Sequence, residues 1–310
     1  MVKPFNADDF DQPVEPPPSL LYKYLVAERV RNVLEEGTVR FTPLISTNDI
    51  FEVRATFKKI AGPRFIQFLL SEMEARITDQ FIEAEITKRL SSLGLASIPY
   101  SVAKKLIEQQ TGEPVTTMLK RETKGMLDHV APHLNDQAAI QDMLSKLGND
   151  LLCFSLSERF DSPPMWAHYA GNHSGFIVGF NTSHEWFQRD DKGTKKSRLQ
   201  KVAYVDGQLE EVLENPHAAF GSKTTDWSYE KEWRLYSSRD KAARVISLPD
   251  DEIHLFDFPS DAVRRIVIGH KASSSTVDEI VKVAASSYPS AELVRAIPDR
   301  TSHTYRLQSL

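Results

Sequence analysis

The sequence predicts an α+β fold, with a mixed or mainly antiparallel sheet split by an all-helical insertion, and three observations carry that prediction. After Gly148, short runs rich in branched and aromatic residues recur, each followed by a turn or one short helix. The first fifty residues form a similar strand–helix–strand unit. Between the two, from 61 to 148, apolar residues recur every three or four positions, the helical period. The simplest assembly joins 19–60 to 149–310 as one α+β domain, with 61–148 inserted and 1–18 as a leader.

The leader, MVKPFNADDFDQPVEPPP, mixes acids with five of the 17 prolines and reads as a flexible, solvated segment. SLLYKYL reads as a strand, and VAERVRNVLEEG as a helix with Val26, Val30, Val33 and Leu34 on one stripe and Gly37 at its C-cap. TVRFTPL is the next strand, closing in the polar loop Ser46-Thr47-Asn48-Asp49. Pro63 opens the helical region, which reads as about four or five helices with an aromatic and methionine core stripe. LLCFSL, SGFIVGF, LQKVAYV, EWRLYS, RVISL, VRRIVIG and AELVRAI are read as strands, and STVDEIVKVAASSY as a serine- or threonine-capped helix. KGTKKSRLQK (192–201) reads as a solvated basic loop.

Composition narrows the class. Net charge is −5, 41% of residues are hydrophobic and 26% are charged, an ordinary globular balance. No run approaches the ~18 apolar residues of a membrane span, and no basic-then-apolar leader is present, so the expectation is a cytoplasmic protein with no membrane partner. The lone Cys153 excludes a disulfide framework and reads as a packed strand residue. GxGxxG after a strand, GxxxxGK[ST], HExxH and GxSxG are all missing, which removes the main support for Rossmann, P-loop, zincin and hydrolase-elbow readings.

Three clusters concentrate the remaining chemistry. The densest, CFSLSERFDSPPMWAHYAGNHSGF (153–176), crowds Ser155, Trp166, His168, Tyr169 and His173 around a turn beside a buried strand, as a ligand-binding corner would. Its two histidines are five apart across a glycine, which is not helical metal-pair spacing, so no metal is assigned. KTTDWSYEKEWRLY (223–236) sets Trp227 and Tyr229 before a strand. Alternation there places Glu230, Glu232 and Arg234 on one face, either as a held carboxylate for acid–base or electrostatic work or as a solvated cross-strand ion pair. Tyr22, Lys23 and Tyr24 on the first strand, with Asn48 and Asp49 in the loop after the second, complete the set.

At these clusters together the sequence resembles a bacterial family, domain of unknown function 2971, through LYKY, RFTPLISTNDIFE, CFSLSERFDSPPMWAHYAGNHSGFIVGF and DWSYEKEWRL. Ile50 stands where that family usually has proline in Asn-Asp-Pro-Phe-Glu. The motif order is in turn similar to that of the ADP-ribosyltransferase fold, with an Arg or His on a first strand, a serine or aromatic segment on a middle strand and a glutamate at the start of a later one. Lys23, Ser155 with the Trp166-to-Tyr169 turn, and Glu232 take those places. The resemblance implies glycosyl transfer from NAD to a protein or nucleic-acid target by a toxin or phage-defence effector, with the helical insertion as a candidate partner surface. Glu232, His168 and Lys23 would be catalytic. Tyr22, Tyr24, Asn48, Asp49, Ser155, Trp166, Tyr169, His173, Trp227 and Tyr229 would bind the dinucleotide. Two other expectations stand beside it: a non-catalytic module sensing a nucleotide-like ligand, and a metal-dependent nuclease using Asp49, His168, His173, Glu230 and Glu232.

Overall fold

The computed structural model describes residues 15–49, 57–59, 62–132, 137–191, 194–207, 209–211, 220–249 and 251–310. Most of the expected leader, 1–14, and Ile50, Phe51 and Glu52 of the loop motif lie outside the described residues. Glu15 and Pro18 do engage the fold: Lys201 Nζ is 2.9 Å from Glu15 Oε2, and Thr182 Oγ1 donates to the Pro18 carbonyl at 2.5 Å.

In chain order the strands are β1 (Leu20–Leu25), β2 (Thr38–Pro43), β3 (Phe57–Lys59), β4 (Leu151–Ser157), β5 (Phe176–Asn181) and β6 (Gln188–Asp191). Next come β7 (Thr194–Ser197), β8 (Leu199–Lys201), β9 (Ala203–Val205), β10 (Leu209–Glu211), β11 (Ser222–Thr224) and β12 (Glu232–Ser238). β13 (Arg244–Ser247), β14 (Glu252–Asp257), β15 (Val263–Ile268), β16 (Glu292–Asp299) and β17 (Thr304–Ser309) end the series. The helices are α1 (Pro63–Arg76), α2 (Asp79–Ser92), α3 (Tyr100–Thr111), α4 (Val115–Val130), α5 (Gln137–Asp150), α6 (Pro163–Tyr169) and α7 (Ser274–Ser287).

The chain divides into two compact units. One gathers around 57–142 and β10. In it α1 packs on α4 and α2 on α3, while β3 and β10 form a short parallel pair. Thr78 caps α2 by accepting the Phe81 amide at 3.2 Å, and Gly112 ends α3 in the left-handed region with φ 74°.

The other unit holds a mixed sheet of eleven strands among the described residues, in the order β13-β14-β2-β4-β1-β5-β15-β16-β17, with β12 on β4 and β8 on β12. The β15–β16 pairing is parallel, and its neighbours are antiparallel. Period-2 alternation explains how one sheet supports two cores. Phe154, Leu156, Phe176, Val178, Trp233 and Leu235 face one core, which α7 closes with Ile280, Val283 and Ala284. Tyr22, Tyr24, Ile177 and Val267 face the other, covered by Met165 and Trp166 of α6. Gly179 sits opposite Tyr22 because a Cβ there would come within 3.0 Å of the Tyr22 ring.

Several expectations are corrected. The segment 26–37 forms no regular α-helix: a 3₁₀ turn (Ala27–Arg29) runs into a π-turn (Arg31–Glu35) that still buries Val30, Val33 and Leu34. Three valines in eight residues restrict χ1 and disfavour a regular helix there. The expected basic loop, 192–201, holds two strands: β7, which pairs antiparallel with β6, and β8. The residue pattern does not disclose β14 and β17, because His254 and the alternating polar residues of TYRLQS mask their period.

Candidate functional site

A cavity of about 240 Å³ opens where the sheet parts. Along one edge of β4, β1 is in register at Tyr22 opposite Ser157, and β2 at Thr42 opposite Cys153. Between these two contacts the edge around Ser155 has lost a neighbouring strand, and a side chain takes its place. Lys23 runs past the Phe154 ring, its Nζ 5.0 Å from the centroid, and donates to the Ser155 carbonyl at 3.0 Å. Along the other edge β12 pairs with β4 throughout, putting Glu232 opposite Ser157 and Arg234 opposite Ser155. Cross-strand partners share a face, so these four residues form one polar row beside the apolar core under α6.

That row is buried and densely paired. Lys223 Nζ lies 2.6 Å from Glu230 Oε2 and 2.7 Å from Glu232 Oε2. Arg234 donates from Nε to Glu232 Oε1 at 2.8 Å, from Nη2 to Oε2 at 3.2 Å and from Nη1 to the Phe220 carbonyl at 2.7 Å. Lys223, Glu230, Glu232 and Arg234 are each no more than 5% exposed, which removes the solvated-face reading of this segment. Burial alone would raise the Glu232 carboxyl, but Arg234 and Lys223 outweigh it and hold it well below the ordinary range. Glu232 is therefore a fixed negative charge with most of its acceptor sites taken.

Glu230 is held differently. It ends a 3₁₀ turn (Thr225–Glu230), and the left-handed Lys231 (φ 45°) then redirects the chain into β12. Its backbone carbonyl accepts Ser157 Oγ at 2.6 Å, while its Oε1 accepts the Tyr169 hydroxyl. Asn48 Nδ2 donates to the same Tyr169 oxygen, and Asp49 Oδ2 accepts the Thr224 amide at 3.4 Å. The loop after β2 is thus tied to the turn before β12 across the cavity rim. Burial, then the Glu230 charge, push the Tyr169 phenol far above its ordinary value, so it remains a hydrogen-bond donor.

Burial also lowers the Lys23 pKa, against smaller opposing pulls from Cys153, Glu232 and Glu230. Among the described residues Lys23 forms no ion pair. This has a measurable consequence. A lysine depressed in the folded state binds fewer protons there than when unfolded, so stability rises with pH up to the ordinary lysine value of about 10.4. Wild type is expected to gain stability relative to Lys23→Met as pH rises from 7 towards 10 in parallel urea titrations. A pH-independent difference would mean that the amine is solvated.

The structure gathers part of the expected residue set. Tyr22, Lys23, Tyr24, Asn48, Ser155, Tyr169 and Glu232 line the cavity, together with Glu230 of the nuclease set and with Lys223, which the residue pattern does not mark as a site residue. Asp49 is buried but does not line it. Trp166 is corrected to core: it is fully buried, packs on Tyr24 and Tyr305, and its Nε1 donates to the Phe160 carbonyl at 2.7 Å. His173 does not join the cavity either, because its left-handed turn (φ 73°) aims it at Tyr305 and His270, with Nδ1 2.7 Å from Tyr305 Oη. Burial, with His270 and Lys271, lowers its pKa. His168 is exposed, and Trp227 and Tyr229 stand outside the lining. The five-residue nuclease set is accordingly not assembled, and no group of three or more His, Cys, Asp or Glu suited to a metal occurs among the described residues. No helix among them is long and apolar enough to cross a membrane.

A model of the family described as protein of unknown function (DUF2971) matches residues 165–235, to which this segment of the chain is similar. The matched stretch runs from Met165 on α6 through the Glu230–Arg234 row, while Lys23 and Asn48 lie outside it. No curated protein and no solved structure matches the chain.

Proposed function

We propose that the cavity is the active site of an ADP-ribosyltransferase-like enzyme that cleaves the nicotinamide–ribose bond of NAD and passes the ribosyl carbon to a macromolecular acceptor. The carrying observation is that Lys23, Ser155 and Glu232, from the neighbouring strands β1, β4 and β12, line one cavity at the parting of the sheet. In this reading the α+β unit is the catalytic domain, the helical segment is its insertion, and exposed Phe81, Leu106 and Met126 on that segment belong to the face that meets the target.

Bond cleavage leaves nicotinamide neutral with the C–N electron pair and builds positive charge on the ribose. A preorganised carboxylate stabilises that charge most when it cannot be protonated and need not reorient, which describes Glu232 between Arg234 and Lys223. Lys23 is tied to the β4 edge by its bond to the Ser155 carbonyl, on the cavity wall that Glu232 also lines. Glu230, less saturated and on the rim side with Tyr169, accepts the proton of the incoming nucleophile. At about 240 Å³ the cavity falls below the ~300–1,000 Å³ of drug-sized ligand pockets, so it encloses the nicotinamide–ribose end and leaves the rest of the dinucleotide outside.

The test is incubation of the full chain with NAD labelled on the adenine, reading nicotinamide release by chromatography and label transfer to protein and nucleic acid. Release that depends on Glu232 supports the reading. NAD bound without turnover would favour a nucleotide-sensing module, and neither binding nor release would end both.

A further inference from the structure

Beside the cavity stands a row of rings that the chemistry above does not use. Tyr229 lies 6.1 Å from Trp227 at 36° and 6.3 Å from His168 at 30°, and His168 lies 6.2 Å from the cavity-lining Tyr169. Trp227 and Tyr229 occupy the 3₁₀ turn between Lys223 and Glu230, both of which line the cavity, so the row begins at its rim. Tyr229 packs against the α6 core, and Lys223 Nζ sits 5.5 Å from the Trp227 centroid. The rings are therefore held before any ligand arrives, yet His168 is exposed and the other two are only partly buried.

We infer that Trp227, Tyr229 and His168 form a stacking platform for one or two bases of a single-stranded nucleic acid, the acceptor in the reaction proposed above. The inference rests on that reading for the transfer step, though not for the binding. Aromatic faces hold bases with little sequence preference and require them unstacked from a partner strand, which excludes duplex. Lys231, exposed at the end of the same turn and without an ion-pair partner among the described residues, supplies a phosphate contact, whereas Asp226 on that turn and the net charge of −5 oppose a long phosphate track. In the transfer a base nitrogen donates its electron pair to the ribose carbon as the nicotinamide bond breaks, and the nitrogen's proton passes to Glu230.

Anisotropy of short fluorescein-labelled single strands, titrated with the full chain in the absence of NAD, tests the platform. Single strands are expected to bind better than the same sequence as duplex, with a shallow salt slope of roughly 0.7 per phosphate contacted. Trp227→Leu and Tyr229→Leu are each expected to weaken binding about tenfold, while Trp227→Phe, which keeps a stacking face, remains within about threefold of wild type. No binding at roughly 1 mM protein, equal affinity for duplex, or unchanged affinity in both leucine variants would overturn the inference. NAD cleavage without strand binding sinks the platform alone. Strand binding through Trp227 without NAD cleavage sinks the transfer reaction and leaves the stacking surface.

Discussion

Lys223→Met is expected to destabilise the sheet unit by about 3–5 kcal/mol, the range for breaking a buried charge network by removing one partner. Lys223 Nζ sits within 2.7 Å of two carboxylates on side chains at most 5% exposed, and its removal leaves Glu230 and Glu232 without the cation that bridges them, while Arg234 still pairs with Glu232. At roughly 2–4 °C per kcal/mol for a unit of this size, the melting temperature should fall by roughly 10 °C. Adding Glu230→Gln to Lys223→Met should recover part of the loss, because the second change removes one of the two uncompensated charges. The pH dependence provides a separate check. Glu232 is depressed in the folded state, so its contribution is present above the ordinary carboxyl value of about 4.3 and is lost as pH falls below it. Wild type should therefore lose stability more steeply than Lys223→Met on acidification below about pH 4.3. A loss under about 1 kcal/mol would mean that these carboxylates are hydrated and behave as a surface pair.

This network marks the limit of what the sequence discloses. Residue spacing reports which face of its own element a side chain occupies, so Glu232 and Arg234 read correctly as neighbours on one face of β12. It does not report what covers that face. Pairing with β4 and the approach of Lys223 from the preceding segment bury the pair, and both are long-range facts. The same limit explains Trp166 and His173. A helix turn rich in polar and aromatic residues suggests a ligand corner, but only the packing of β1 and β17 against it turns Trp166 into core and draws His173 to Tyr305. Strands whose apolar residues are buried on both faces, such as β5, are legible because nearly every residue reports it. β17 is legible only through β16, since its outer positions are polar and exposed. The gap on β4 that makes the cavity has no local signature: Ser155 is an ordinary strand residue whose missing neighbour is set by where β1 and β2 part from β4 to pair with β5 and β14.

The two carboxylates should separate kinetically. Glu232→Gln keeps the size of the side chain and an acceptor oxygen for Arg234 but removes the fixed charge, so nicotinamide release should fall by about 10²–10³, as when one preorganised electrostatic group is lost from an active site. Glu230→Gln leaves that charge in place. Release of nicotinamide, limited by bond cleavage, should stay within about tenfold of wild type, whereas transfer to the acceptor should drop by about 10²–10⁴ for want of the base, diverting ribosyl groups to water. Both products are read from one reaction, as free nicotinamide and as acceptor-bound label, so the ratio between them is independent of how much enzyme is folded. That matters because Glu232→Gln takes away the negative charge held between Lys223 and Arg234, and the variant will be less stable. Assays at a temperature below both melting transitions remove the remaining ambiguity. Equal effects of the two substitutions on release and transfer would show that the pair acts only as structure, and a larger fall in release from Glu230→Gln would exchange the two roles.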